Sequence, residues 1–354
     1  MRIATLSDAS AVHTVRWVEH FRARGHDVRV WSLERGPESL GVVPLPAPPL
    51  PLPRVLRYPL AARALARDLR AFAPDVVDAH FVPNYGLLGV LAGRRPLSVA
   101  AWGSDLLLGG RRDPLRRARA RFVLARADQV LCDAENLAAA ARELGAAPDR
   151  VHAIPWGVDL ARVRPLEPRE TGLVLSTRMH EPIYDLVTVI AGLAPVLAQH
   201  PHAHVAFIGD GSLRPALERL AAERLPAGRF RFLGRLAPDD LFAFYGRAEV
   251  YVSASHSDST SQSLLEAMAA GAAPVVSDIA GNREWVRAGE GALLFRPGDA
   301  QELARALARA LGDRDWRTRA AAHNRRVVEA RADWTRNLQR IESLFESLPR
   351  VRGA

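Results

Sequence analysis

EVYVSASHSDSTSQSLLEAMAAGAAPVVSD, residues 249–278, carries the fold in one stretch. EVYVSAS is a short apolar, β-branched run and reads as a buried strand. Ser255–Gln262 is a turn of small polar residues. SLLEAMAAG has helical spacing and is closed by Gly271, and APVVSD is a second buried strand. Strand, turn, helix and strand at this length imply two parallel strands joined by a right-handed crossover. The turn also presents unpaired backbone N–H groups at a helix N-terminus, a ready place for a phosphate. Ser263 and Glu266 equally spell an ordinary capping box, S-x-x-E, so this stretch alone does not choose between a ligand site and a plain turn.

The same unit recurs in both directions. GLVLST, HVAFIGD, FRFLGR and ALLFRP are further strands of the second half, with helices over Leu186–Gln199, Leu213–Arg224, Asp239–Arg247, Ser263–Ala270 and Ala300–Leu311. In the first half RIATLS, DVRVWSL, DVVDAHF, LSVAAWG, QVLCDA and VHAIPWG alternate with helical stretches at Val15–Arg24, Ala61–Ala71, Pro83–Ala92, Leu115–Ala127 and Ala134–Leu144. Two doubly wound α/β sheets in tandem are therefore expected, with ligands at the carboxyl ends of the strands, facing across a cleft. PLPAPPLPLPRVLRYP breaks the alternation and is expected as a stiff exposed loop. RVRPLEPRETG is expected as the linker. The expected domains are 1–162, 163–334, and a C-terminal helix at 335–354 packing back on the first.

At 354 residues the chain is long for one core, and its 48% apolar and 25% charged residues suit a globular protein. No apolar run approaches a membrane span, and the strand-like start is not expected to be a secretory signal, giving a cytoplasmic expectation. The single Cys132 excludes a disulfide scaffold and a cysteine metal cluster. All 48 basic residues are arginine, and the net charge is +9. The excess is greatest in residues 1–160, with 22 Arg against 16 acids. Arginine favours flat bidentate contact with phosphate and carboxylate. Its densest run, Arg111–Phe122, is either a solvated surface or a contact for anionic lipid head groups at the inner face of a membrane. Aromatic platforms for nucleic acid are not interleaved with it.

Several stretches in one order resemble a known family. Asp258, seven residues, Glu266-Ala-Met-Ala, Gly271, Pro274-Val-Val and Asp278 are similar to the Glu-x7-Glu signature of the family 4 retaining glycosyltransferases of the GT-B fold. GNREWV (Gly281–Val286), SDASAVHTVRW, RARGHDV, PDVVDAHF, IPWGVD, GDGSLR and FLGRL fall in family order over nearly the whole chain. The resemblance implies two Rossmann-like domains, an acceptor domain first and a sugar-nucleotide domain second.

It also implies roles. Glu266 would bind ribose hydroxyls, Asp258 the donor sugar, and the amides near Thr260, Ser261 and Gln262 the distal phosphate. Gly234, Arg235 and Leu236 would lie against the base. Arg178 matches the family's phosphate-binding arginine, while Tyr184 stands where the family has lysine and Asp258 where it usually has Glu. Gly103 stands where many members have a His, leaving Asp105 as the nearest polar candidate there, or as a helix cap. Asp8, His13, Thr14 and His80 would line the acceptor side, or serve as caps and structural residues.

The reaction so implied is retaining transfer of a sugar from a nucleotide donor to an acceptor hydroxyl, without a metal or resident cofactor. Arg178 and the helix N-terminus would stabilise the leaving diphosphate, and Asp258, Arg178 and Asp105 would act on the reacting sugar. A sugar-nucleotide epimerase of the same architecture, or a non-catalytic sugar-nucleotide binding protein, are the alternatives.

Overall fold

The computed structural model describes residues 1–46, 54–108 and 113–349, with side chains from residue 60 onward in the first helix after the gap at 47–53. The chain divides into two compact units, Met1–Ile154 with Leu338–Ala354, and Pro155–Asn337.

The first unit is built on β1 (Arg2–Leu6), β2 (Asp27–Ser32), β3 (Val43–Pro44), β4 (Val76–His80), β5 (Leu97–Ala100), β6 (Gln129–Cys132) and β7 (Val151–Ala153). All pair in parallel, in the order β3-β2-β1-β4-β5-β6-β7. The second unit carries β8 (Leu173–Ser176), β9 (His204–Ile208), β10 (Phe230–Gly234), β11 (Val250–Ser253), β12 (Ala273–Ser277) and β13 (Leu293–Phe295), in the order β10-β9-β8-β11-β12-β13. Both sheets are wound outward from the middle. Their strand order reverses between β1 and β4 and between β8 and β11, the places where doubly wound sheets bind ligands. Helices cover both faces, which is why β4, β5, β11 and β12 are buried along their whole length.

Each expected strand run holds a strand. The proline-rich stretch departs from expectation at both ends. Pro44 closes β3, and a helix runs over Arg54–Phe72, so the last six residues of PLPAPPLPLPRVLRYP are not loop. Residues 47–53 lie outside the described residues. The expected linker is bonded into the second unit. Leu166 and Glu170 donate backbone N–H groups to Gly246 and Arg247 carbonyls, and Arg169 reaches the Ala248 and Ala270 carbonyls at 2.7 and 3.0 Å. Among the described residues no helix is long and apolar enough to cross a membrane.

The helix Trp334–Ser347 completes the first unit with its last turns. Phe345 stacks on Phe21, with ring centroids 5.6 Å apart. Glu342 accepts from Arg24 Nε at 3.2 Å and pairs with His26 Nε2 at 2.7 Å. Burial works against the charge of Glu342, but these two bonds prevail and hold its carboxyl below the ordinary range. A depressed folded pKa adds stability above the unfolded value and loses it as pH falls through the folded one. Glu342→Gln should therefore cost about 1 kcal/mol at neutral pH, with the difference from the parent shrinking in acid below about pH 4, measured by urea unfolding.

Candidate functional site

In the second unit the turn after β11 closes around one arginine. Arg178 leaves the end of β8, and its Nη2 donates to Asp258 Oδ2 at 2.6 Å. Its Nη1 donates to the Ser261 and Ser263 hydroxyls at 2.7 and 2.8 Å. The Tyr184 ring lies under the guanidinium at 4.2 Å, a cation–π seat. Tyr251 shares a hydrogen bond with Ser263 at 2.7 Å from below. Arg178 is only 8% exposed. Burial opposes its charge, yet Asp258 in contact, with Tyr251, Tyr184 and Tyr245 around it, pushes its pKa above the ordinary value. It is a permanent cation, and its buried Nε has no partner.

The helix Gln262–Ala269 starts on this platform. Its cap is Ser261, whose hydroxyl accepts from Leu264 N–H at 3.3 Å. The capping box expected from Ser263 and Glu266 is not formed in that way, because the Ser263 hydroxyl is turned to Arg178 and Tyr251. Gln262 reaches back to the Gly157 carbonyl at 2.9 Å and to Glu266 Oε1 at 3.2 Å. Glu266 is thus one turn inside the helix and buried, 8% exposed. Trp285 donates its indole N–H to the Thr260 hydroxyl at 3.2 Å, tying GNREWV to the turn. Gly281 makes that approach possible: a Cβ there would lie 2.2 Å from the Ser259 carbonyl oxygen. The GDG run meets the same strand end, since a Cβ on Gly209 would lie 2.6 Å from the Arg178 carbonyl oxygen, and Gly209 N–H donates to the Gly234 carbonyl at 2.8 Å. Beyond Gly234, Arg235 is exposed and Leu236 half-buried.

In the first unit, the carboxyl ends of β1, β4 and β5 enclose a pocket of about 380 Å³. Asp8, His13, Thr14 and His80 all line it, so the structure brings these four expected residues together. Thr14 is held by the Asp8 carbonyl at 2.8 Å and the Ser7 hydroxyl at 2.7 Å. Asp8 accepts from the Ser10 N–H and hydroxyl at 2.9 and 2.6 Å. Phe81, also in the lining, opens a π-helical turn over Phe81–Gly86 with φ of 75°, a left-handed value that a bulky side chain adopts only under constraint.

Asp105 is placed differently from expectation. It is 3% exposed and does not line the pocket; its carboxylate accepts from the backbone N–H groups of Val82, Trp102 and Leu106 at 3.0, 3.1 and 3.2 Å. It braces the loops behind the pocket and offers no oxygen to it. Trp102 and Asp78 were not singled out from the sequence. Asp78 stands two residues before His80 on β4, on the same face of the strand, and that period of two was the available signal. On the helix Pro114–Leu124, Asp113 is the N-cap, and Arg116, Arg117, Arg121, Leu115 and Phe122 are exposed. Arg111 and Arg112 lie outside the described residues.

Two family profiles match the chain, one half each. The family described as Glycosyltransferase Family 4 matches residues 10–162, and the one described as Glycosyl transferases group 1 matches residues 170–313. The lipopolysaccharide core biosynthesis glycosyltransferase LpsE of Rhizobium meliloti is 35% identical over 130 residues, 36% of this chain and 37% of that one. The D-inositol 3-phosphate glycosyltransferase of Nocardia farcinica is 31% identical over 184 residues, 47% of this chain and 41% of that one. The matched part thus spans about two fifths of the length of these relatives. The structure of Anabaena HepE in complex with UDP and glucose superposes with a TM-score of 0.84 over 98% of this chain and 100% of that one, at 18% identity, a likeness of fold.

Two outcomes follow from the geometry. Arg178→Leu should destabilise the second unit by about 3 kcal/mol by stranding Asp258, and the double variant with Asp258→Leu should recover part of that loss in a urea-unfolding cycle. Asp105 has its pKa raised to about 6 by burial, against the pull of its three amides. The folded carboxyl holds its proton more tightly than the unfolded one, so stability falls as pH rises from about 4 to about 6. Asp105→Asn should flatten that slope in the same measurement.

Proposed function

The chain belongs to the family 4 glycosyltransferases of the GT-B fold, and on that premise we propose that it transfers a sugar, with retention, from a nucleotide-sugar to an acceptor hydroxyl. The observation that carries the reading is the caged cation. Arg178 sits at the N-terminus of the helix Gln262–Ala269, held by Asp258, Ser261 and Ser263, with Glu266 one turn in. A diphosphate leaving group needs positive charge and N–H donors fixed before the reaction, and a helix N-terminus beside a permanent cation supplies both.

In this reading the distal phosphate takes the N–H groups at Thr260, Ser261 and Gln262 and the Arg178 guanidinium. Glu266 holds the ribose: its two carboxylate oxygens match two vicinal hydroxyls. Asp258 keeps one carboxylate face toward the donor sugar, and Gly234 to Leu236 border the base. That the HepE neighbour was solved with UDP and glucose supports a donor of this class. Tyr184 takes the place of a second cation only in part: its ring orients Arg178 but adds no charge. The acceptor belongs to the first unit's pocket. Charge stabilisation by Arg178 and the helix lets the departing phosphate take the acceptor proton on the same face, without a metal or resident cofactor. Exposed Arg116, Arg117 and Arg121, flanked by exposed Leu115 and Phe122, support contact with anionic lipid head groups.

The test is a panel of sugar nucleotides with neutral and lipid-linked acceptors, following nucleoside diphosphate release. Acceptor-dependent release from one donor is expected. Epimer formation without acceptor, or no turnover with any donor, would overturn the reading. Glu266→Ala should weaken nucleotide affinity by about tenfold or more, measured by calorimetry, and unchanged affinity removes Glu266 from the ribose.

A further inference from the structure

The first unit's pocket contains a network that transfer as described above does not use. Asp78 is fully buried on β4, and its Oδ2 lies 2.9 Å from Trp17 Nε1 and 2.9 Å from His80 Nε2. The Trp17 indole only donates, so Oδ2 accepts there, and the tautomer that lets the same oxygen accept from His80 carries its proton on Nε2. In that neutral tautomer the other ring nitrogen, Nδ1, carries a lone pair. His80 is 2% exposed, lines the pocket, and its Nδ1 has no hydrogen-bond partner. A buried acceptor left unmade is costly, and a ligand hydroxyl is the group that satisfies it.

The wall beside it is aromatic. The half-buried Trp102 ring lies 5.0 Å from His13 and 5.4 Å from His80, centroid to centroid, tilted to both. Such faces take the C–H side of a sugar ring while hydroxyls reach the rim. The charge of the lining is equally specific. In a chain of 48 arginines, none stands among the described residues lining this pocket, and Asp8 contributes a negative charge. A phosphate-bearing ligand would lose its hydration here without meeting an arginine among the described lining residues.

We propose that this pocket takes an uncharged pyranose-type polyol, its ring against Trp102 and one hydroxyl donating to His80 Nδ1, with Asp78 the positioning residue that fixes that tautomer. The proposal rests on the reading that the first unit binds the acceptor, and narrows it to a neutral acceptor ring.

The test needs no donor, so its failure is separable from failure of the transfer assay. Methyl α-D-glucopyranoside, methyl α-D-mannopyranoside, methyl α-D-galactopyranoside and their 6-phosphates are added to the full chain and followed by saturation-transfer NMR. At least one neutral glycoside should bind, its 6-phosphate about fivefold or more weaker, and Trp102→Ala should weaken the neutral glycoside by a similar factor. No neutral binding, equal or tighter binding of the phosphates, or an unaffected Trp102→Ala would each overturn the proposal. Nitrogen-15 spectra of His80 in the unmodified protein should show Nε2 protonated and Nδ1 bare, with Nδ1 shifting on glycoside addition. In Asp78→Asn the two tautomers should mix. A proton on Nδ1 in the unmodified protein, or a single unchanged tautomer in Asp78→Asn, removes Asp78 from its positioning role, whatever the effect of either variant on folding.

Discussion

A buried guanidinium cannot be left to itself. Once Arg178 enters the interior at the end of β8, its charge needs a carboxylate, its N–H groups need oxygens, and its flat face needs a ring. The turn after β11 meets all three needs, with Asp258, Ser261 and Ser263 on the edges and Tyr184 on the face. The turn's conformation is in this sense set by the cation. The helix that follows is aimed by it, and Glu266 is carried to its position as part of the same arrangement. Gly281 and Gly209 are small because neighbouring backbone is drawn in against this cluster.

The first unit solves a different problem. Two of its buried carboxylates, Asp78 on β4 and Asp105 on the short helix after β5, pair with no arginine among the described residues, in a chain rich in that residue. Asp105 is held by three backbone amides and Asp78 by an indole and an imidazole. Hydrogen bonds replace countercharge, and no arginine stands among the described residues lining the pocket above them.

Much of this was legible in the sequence, for identifiable reasons. The strand runs were plain because helices cover both faces of each sheet, which makes the strands continuous apolar segments. Asp258, Arg178 and Glu266 stood out because two separate segments, residues 176–184 and 256–286, fall in the order of a known family. Ser261 and Ser263 are interchangeable as caps by pattern, and only the position of Arg178 decides which hydroxyl is free to cap. Asp105 looked like a site residue because spacing says nothing of whether a carboxylate faces a pocket or the amides behind it. The proline-rich stretch concealed a helix start, because the first turn, residues 54–57, holds no proline but lies between Pro53 and Pro59, and proline density signals a loop. Asp78 and Trp102 were missed because each resembles an ordinary core or turn residue until its neighbours are known.

Phe81 holds a backbone conformation that glycine would adopt without penalty. A search for stabilising substitutions would favour glycine there, because the strain would be relieved. The phenyl ring and the π-helical turn it opens also define one wall of the pocket. Position 81 is thus one where thermal tolerance and selectivity are set against each other, and where an engineered gain in the first is drawn from the second.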